Sequence, residues 1–325
     1  MMKAVLCESY GPPENLVIKE IESLVPDHGE VIIEVKASGL NFPDTLIIEG
    51  KYQFQPEMPF SPGGEVAGIV KEIGDGVTHL KAGDCVMAGT GWGGFAQEVR
   101  GKVSNVFPLP DRISFEQAAS TMMTFGTSYH ALVNRAELKT GETLMVLGAA
   151  GGVGTAAIQI GKALGAQVIA AASTDEKLDY CKSIGADLTI NYSKEDLKNQ
   201  AKALTNGKGV DVIYDPIGDR FTEPALRAIA WKGRYLVVGF AAGEIPKIPL
   251  NLPLLKGCSI MGVFWGGFFR NEPQVNAENF MTIVEWLKEG KVKAQIHKKY
   301  PLEEVAAAME ELTSKKVKGK IIFEP

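Results

Sequence analysis

Leu144-Met145-Val146-Leu147-Gly148-Ala149-Ala150-Gly151-Gly152-Val153-Gly154 is the stretch whose reading decides the fold. Four apolar residues run into a glycine-rich turn, and the residues after the turn open a helix. That is the context in which the pyrophosphate of a dinucleotide rests on a helix N-terminus. Gly151 lets the backbone approach the phosphates with no side chain in the way. The turn through Gly152, Val153 and Gly154 opens a helix, whose first N–H groups and partial positive charge face the anion. Gly154 also lets the helix pack closely on the strand. Read strictly, the pattern is Ala149-x-Gly151-x-x-Gly154, with alanine in place of the first glycine. Alone it is a weak signal, because a flexible strand–helix turn looks the same.

The surroundings supply what the motif lacks. Strand 143–147 leads to a helix over 153–164, strand 167–172 to a helix over 175–184, and strand 188–190 to a helix over 194–205. Strand 210–214 and helix 221–229 follow, then strand 234–238, and the apolar run Ser259-Ile260-Met261-Gly262-Val263 reads as a sixth strand. Apolar strands alternating with helices imply a parallel sheet covered on both faces, the doubly wound α/β pattern. Earlier residues have another texture. Short runs at 31–37, 65–73 and 85–88, separated by glycine turns, suggest a small barrel or rolled sheet. Ser114-Phe115-Glu116-Gln117 has the form of a capping box. Two helical stretches are expected after it, interrupted near Phe125-Gly126-Thr127. Helices over 277–288 and 302–313 and a strand over 320–323 complete the chain. The expected organisation is a β-rich domain from residues 1–125 and 266–325, with the dinucleotide-binding domain 126–265 inserted.

Length and composition agree. The 325 residues suit two domains. A hydrophobic share of 45% and a charged share of 22% leave apolar material for a core in each. The net charge is -5, and the basic cluster at 315–320 is too short for a nucleic-acid footprint, so no nucleic-acid partner is expected. The four cysteines contain no C-x-x-C pair, which disfavours disulfides and a thiol-rich metal site and fits a reducing compartment. Glu8 interrupts any signal-peptide core, and no run approaches a membrane span of about 18 apolar residues. A cytoplasmic protein without membrane contact is the expectation.

The end of the second strand selects the cofactor. A site for NAD places Asp or Glu about 20 residues after the glycines, against the ribose 2′-OH. Here the strand ends in the neutral Ser173-Thr174, and Lys177 follows in the next helix. Hydroxyls and a lysine welcome a 2′-phosphate, so NADPH is expected. Asp175, one step late, is the complication. Ser173 and Thr174 are also natural helix caps.

Further motifs carry a resemblance. Asn41-Phe42-Pro43-Asp44, Pro62-Gly63-Gly64-Glu65-Val66-Ala67-Gly68-Ile69-Val70, the glycine turn, Val210-Asp211-Val212-Ile213-Tyr214-Asp215 and Gly319-Lys320-Ile321-Ile322 occur in the order of the medium-chain dehydrogenase/reductase superfamily. Over essentially the whole chain the sequence resembles its zinc-free quinone oxidoreductase branch, which includes ζ-crystallin-like proteins. The resemblance implies a GroES-like β-rich catalytic domain with an inserted Rossmann domain. In the zinc alcohol dehydrogenases a cysteine stands at the position of Asn41 and a histidine at that of Gly64, both zinc ligands. Neither replacement offers a thiolate or imidazole, so no metal is expected. The lobe holding a structural zinc is missing too, and His28, His79, His130 and His297 show no i, i+4 pairing. Without a Lewis acid, conjugated acceptors suit the enzyme better than simple alcohols.

Residue by residue, the resemblance puts Asn41 and Thr127 beside the nicotinamide. Ser173, Lys177 and Tyr192 would hold the adenosine end, with Thr174 next to them and Lys318 near the 2′-phosphate. Gly239 and Phe240, with Phe264 and Trp265, would line the nicotinamide pocket, largely through backbone groups. Tyr52 matches the proposed proton donor of enoyl-thioester reductases and a substrate-site tyrosine of quinone reductases. An aromatic loop anchor is its plainer reading. Two polar positions of the bacterial quinone reductases are Leu46 and Ile48 here, which makes the pocket more apolar. The expected activity is NADPH-dependent reduction of a quinone or related enone. A 2-enoyl-thioester reductase is the first alternative, and a non-catalytic NADPH-binding or RNA-binding protein the second. The resemblance further implies a homodimer through the edge strand 259–263, whose apolar edge would otherwise be open to mispairing.

Overall fold

A computed structural model describes residues 1–325, which form two compact units: Met1–Met123 with Ala294–Pro325, and Thr124–Lys293. In the second unit the central strands are apolar along most of their length because both faces are covered. Leu144, Met145, Val146 and Leu147 are fully buried. Six parallel strands lie in the order Leu188–Asn191, Gln167–Ala172, Thr143–Leu147, Val210–Asp215, Ile229–Val237, Ser259–Gly262. The order reverses after Thr143–Leu147, which puts the topological switch point, where ligands bind in such sheets, at the glycine turn. Met145, Ile169, Ile213 and Tyr235 belong to one core cluster, and each such side chain contributes about 1.5–3 kcal/mol by burial.

Two expectations fail in this unit, both through tertiary packing. The helix Met122–Tyr129 runs through 125–127 without interruption and continues into the π-turn His130–Arg135. The break falls earlier, after Phe115–Ala118. Gly126 is a packing glycine: a Cβ there would lie 2.8 Å from the Trp265 ring. The domain boundary expected at 265 lies at Lys293 instead, so the helices Trp265–Asn271 and Pro273–Lys288 stay in this unit. His130 stacks on Phe268 at 3.9 Å, Tyr129 packs on Trp286 at 5.6 Å, and Asn279 donates to Asn134 at 2.7 Å. These contacts join residues more than a hundred positions apart, which no local pattern reveals.

The first unit is a seven-stranded sheet plus a hairpin of Met2–Leu6 with Val17–Ile21. The sheet path runs Ile296–Pro301, Lys320–Glu324, Glu30–Leu40, Glu65–Ile73, Cys85–Gly89, Val106–Pro108, with Glu98–Lys102 paired to Glu30–Leu40. The C-terminal strand pairs antiparallel with Glu30–Leu40, Ile321 opposite Leu40. Its apolar residues Ile321 and Phe323 share a core with Val5, Ile48 and Phe95, and the Phe95 and Phe323 rings meet edge-on at 4.6 Å. This register carries Lys320 to the end of the strand that precedes Asn41. The capping box is present, with Ser114 accepting from the Gln117 N–H and the Gln117 side chain accepting from the Ser114 N–H.

Candidate functional site

The glycine turn has one left-handed residue among Gly148–Gly154. Gly148, not the alanine after it, takes φ +57°, and a Cβ there would meet Ile217 at 2.6 Å. Ala149 and Ala150 are buried. Gly151 is the N-cap of the helix Gly152–Ala163, and no side chain caps that helix. A Cβ on Gly154 would lie 2.6 Å from the Gly148 carbonyl and 2.7 Å from that of Ala149, so close packing demands glycine there. A Cβ on Gly151 would meet only the Gly148 carbonyl, at 3.4 Å. The fold itself therefore barely restricts position 151, and the space beside it is open. Uncapped N–H groups of Gly152, Val153 and Gly154 beside that space suit an anion.

The strand Gln167–Ala172 ends at the half-buried Ser173. The Thr174 hydroxyl is used as the N-cap of the helix Asp175–Ser183, accepting from the Lys177 N–H at 3.3 Å. Lys177 and Tyr192 are half-buried nearby in the fold of this unit. Burial pushes the Tyr192 phenol above its usual range, and a hydrogen bond from Ser173 opposes the shift. Its ring packs on Phe221 at 4.5 Å. Asp175, the complication of the sequence, has both carboxylate oxygens occupied: one accepts from Asn191 at 2.6 Å, the other from Lys194 at 2.5 Å. No sequence motif points to Asn191 or Lys194. A neutralised carboxylate, an uncapped helix end and an open glycine position together fit a dinucleotide with a 2′-phosphate.

The other residues of this unit arrive by tertiary routes. Thr127 lies inside the helix Met122–Tyr129 and is no cap. Its neighbour Ser128 donates to the Val153 carbonyl at 2.9 Å and pairs with the Tyr214 hydroxyl at 2.9 Å, tying that helix to the glycine turn. Gly239 donates to the Asp215 carbonyl at 3.3 Å. The buried Asp215 carboxylate accepts from the N–H groups of Ile217 and Gly218 at 2.9 and 2.8 Å, from Thr222 at 3.1 Å and from the Tyr235 hydroxyl. This organises the loop on which Phe240 packs, against Gly218. Phe264 is largely exposed at the start of the helix Trp265–Asn271. Trp265 is buried, its indole N–H donating to Asn276 at 3.0 Å, so its ring is committed to internal packing.

In the first unit Asn41 sits in a closed polar network. Its N–H donates to Asp44 at 2.7 Å at the start of the helix Phe42–Ile47. Its side-chain amide donates to Glu65 at 3.0 Å and to the Gly39 carbonyl at 3.3 Å. Its amide oxygen accepts from the Lys320 ammonium at 2.6 Å. The same ammonium donates to Glu65 at 2.6 Å and to the Leu40 carbonyl at 2.9 Å. The other Glu65 oxygen accepts from the Met123 N–H at 2.7 Å. The side chains of Lys320 and Glu65 are 5% and 1% exposed, so the pair is dry. Both protons of the Asn41 amide are thus used within the protein. Asp44 also accepts from the Gly63 N–H at 3.2 Å, yet burial pushes its carboxyl up to about 7. Glu65 and Lys320 lie in the motifs 62–70 and 319–322, which give them no role by themselves. A charged residue opening each of two apolar strands, with opposite signs, is the signal that pairs them.

Tyr52 follows the helix Phe42–Ile47, half-buried, and packs on the core cluster that contains Ile48 and Phe323, its ring edge-on to Phe54 at 6.0 Å. Ile48 is buried in that core and Leu46 is half-buried. Lys318 belongs to this first unit; its N–H donates to His297 at 3.4 Å. No cluster of three or more His, Cys, Asp or Glu side chains has the arrangement of a metal site.

Residues 27–111 match the alcohol dehydrogenase GroES-like domain family, and residues 152–286 match the zinc-binding dehydrogenase family. A quinone oxidoreductase-like protein 2 homolog of Nematostella vectensis is 38% identical over 99% of this chain and 88% of that protein. The Escherichia coli quinone oxidoreductase, solved in complex with NADPH, superposes with a TM-score of 0.93 at 32% identity, covering 99% of this chain and all of that one. The CurK enoyl reductase superposes with a TM-score of 0.90 at 26% identity, covering 99% of each chain. With its α/β fold, its GroES-like first unit and its Rossmann second unit, the chain belongs to the quinone oxidoreductases of the medium-chain dehydrogenase/reductase superfamily.

Proposed function

We propose that this protein is an NADPH-dependent, zinc-independent reductase of quinones and related conjugated carbonyls. The observation that carries the reading is the open, uncapped turn Gly151–Gly154 followed by a second strand that ends in Ser173 with Asp175 neutralised. NADPH, when bound, supplies the hydride. The helix N-terminus of Gly152, Val153 and Gly154 holds its pyrophosphate, and Ser173, Thr174, Lys177 and Tyr192 form the adenosine end. Lys318 is assigned to the 2′-phosphate, and Thr127, Gly239, Phe240, Phe264 and Trp265 to the nicotinamide side.

Zinc independence is supported by what surrounds Asn41. Asn41 and Gly64 supply no thiolate or imidazole, and the Lys320 ammonium already lies against Asn41 and Glu65. With its amide protons engaged internally, Asn41 acts by shape and by its fixed carbonyl dipole rather than as a free donor. Tyr52, or water, gives a proton to the oxyanion that develops as hydride adds to the conjugated carbon. A homodimer is supported by the edge strand Ser259–Gly262, which presents the half-exposed Ile260, and by the exposed Trp231, Leu254 and Leu255. Gel filtration with light scattering tests it, and a monomer at micromolar concentration removes it.

NADPH consumption with 1,4-benzoquinone, an aliphatic enone and a crotonyl thioester tests the activity. Turnover of the quinone is expected. Preference for the thioester, with Tyr52→Phe abolishing it, would select the enoyl-thioester reading, which the likeness to CurK enoyl reductase keeps in play. Tight NADPH binding with no turnover on any of the three would select a non-catalytic one.

A further inference from the structure

Asp175 stands where a carboxylate would oppose a 2′-phosphate, first in the helix after the second strand and two residues beyond Ser173. Its two oxygens are held from the next strand–helix connection, by Asn191 at 2.6 Å and Lys194 at 2.5 Å. Asn191 is buried and rigid, its backbone N–H donating to Glu195 at 2.7 Å and its side-chain oxygen accepting from the Ser193 N–H at 3.1 Å. Asn191 therefore fixes the direction of the Asp175 carboxylate but leaves its charge. Lys194 is the cation in direct contact with the charge, Lys182 acting on it without a hydrogen bond, and Lys194 is two residues from Tyr192, on the same connection.

We propose that Lys194 is a cofactor-specificity residue, whose ammonium masks Asp175 so that the end of the second strand accepts a 2′-phosphorylated adenosine. The proposal rests on the NADPH reading above. Removing the Lys194 ammonium takes one positive charge from direct contact with Asp175 and leaves its negative charge unmasked. A phosphate monoester carries a charge near −2, so it feels this change about twice as strongly as a single charge does. Both partners are mostly exposed and screened by water, so the expected loss on unmasking is modest, about tenfold in affinity.

Calorimetric titration of the full chain with 2′,5′-ADP and with 5′-ADP tests the proposal without turnover. Lys194→Ala is expected to weaken 2′,5′-ADP about tenfold and to leave 5′-ADP unchanged, an effect that shrinks as salt is raised. Lys194→Ala combined with Asp175→Asn is expected to restore 2′,5′-ADP binding, because the charge that needed masking is gone. Loss in the single variant without rescue in the double one would make Lys194 a direct phosphate ligand and overturn the proposal. No loss in the single variant overturns it as well. A native protein that binds 5′-ADP as tightly as 2′,5′-ADP would instead remove the NADPH reading, and the proposal with it.

Discussion

The two units hold their functional residues in opposite ways. Around Asn41 every polar group has a partner: Lys320 uses its three protons on Leu40, Asn41 and Glu65, and Glu65 is closed off by the Met123 N–H. At the glycine turn the helix N-terminus has no cap and position 151 faces open space. A closed network fixes geometry before anything binds, whereas an open donor set is completed by its ligand. On the proposed reading, the difference teaches that the first unit offers a preorganised surface and the second an affinity site.

The sharpest way to break this contrast is Lys320→Met. It leaves the buried Glu65 charge without its counter-ion, and the expected cost is about 3–5 kcal/mol in urea denaturation. Adding Glu65→Gln should recover much of that loss, and a cost below 1 kcal/mol for the single change would mean the network is not closed. Asp44 probes the same network by pH. Its folded carboxyl is raised to about 7 by burial, so the folded state holds the extra proton between the unfolded value near 4 and that pH. The stability this provides is present at low pH and is lost as pH rises through about 7. Asp44→Asn should therefore gain on the native protein by about 2 kcal/mol between pH 5 and 8, read as Tm or urea midpoint.

At the open turn the two glycines should separate stability from affinity. Gly154→Ala forces a Cβ against two backbone carbonyls and should cost about 1–3 kcal/mol of stability. Gly151→Ala should stay within about 0.5 kcal/mol of native stability while weakening NADPH at least about tenfold. Equal stability losses would show that both glycines serve packing. The smallest expected effect is that of Lys177→Ala, weakening NADPH by about 1–2 kcal/mol and NADH hardly at all. Equal losses for both would remove Lys177 from the 2′-phosphate.

The βα alternation was legible because the central strands, covered on both faces, must be largely apolar, and short apolar runs alternate with helices from Leu144 to Gly262. The glycine turn was legible in position, but its conformation was not. The left-handed φ falls on Gly148, where Ile217 from a distant loop also leaves no room for a Cβ. Gly126 misled for a related reason, since its neighbour across the helix is Trp265. Ser173 and Lys177 were visible in line with the motif, but Lys194, which settles the meaning of Asp175, comes from the next crossover.

By itself, then, the sequence determined the doubly wound sheet, the β-rich partner built from both chain ends, and the neutral end of the second strand. These rest on local periodicity and on residue types a few positions apart. Only the tertiary structure decided that Lys320 and Glu65 close on Asn41, that Asp175 is masked, and that the helices Trp265–Asn271 and Pro273–Lys288 stay with the dinucleotide unit. Each of those depends on strand register or side-chain packing between residues far apart in the chain. Charges buried as a pair must find each other through the register of the sheet, and that register exists only once the chain has folded.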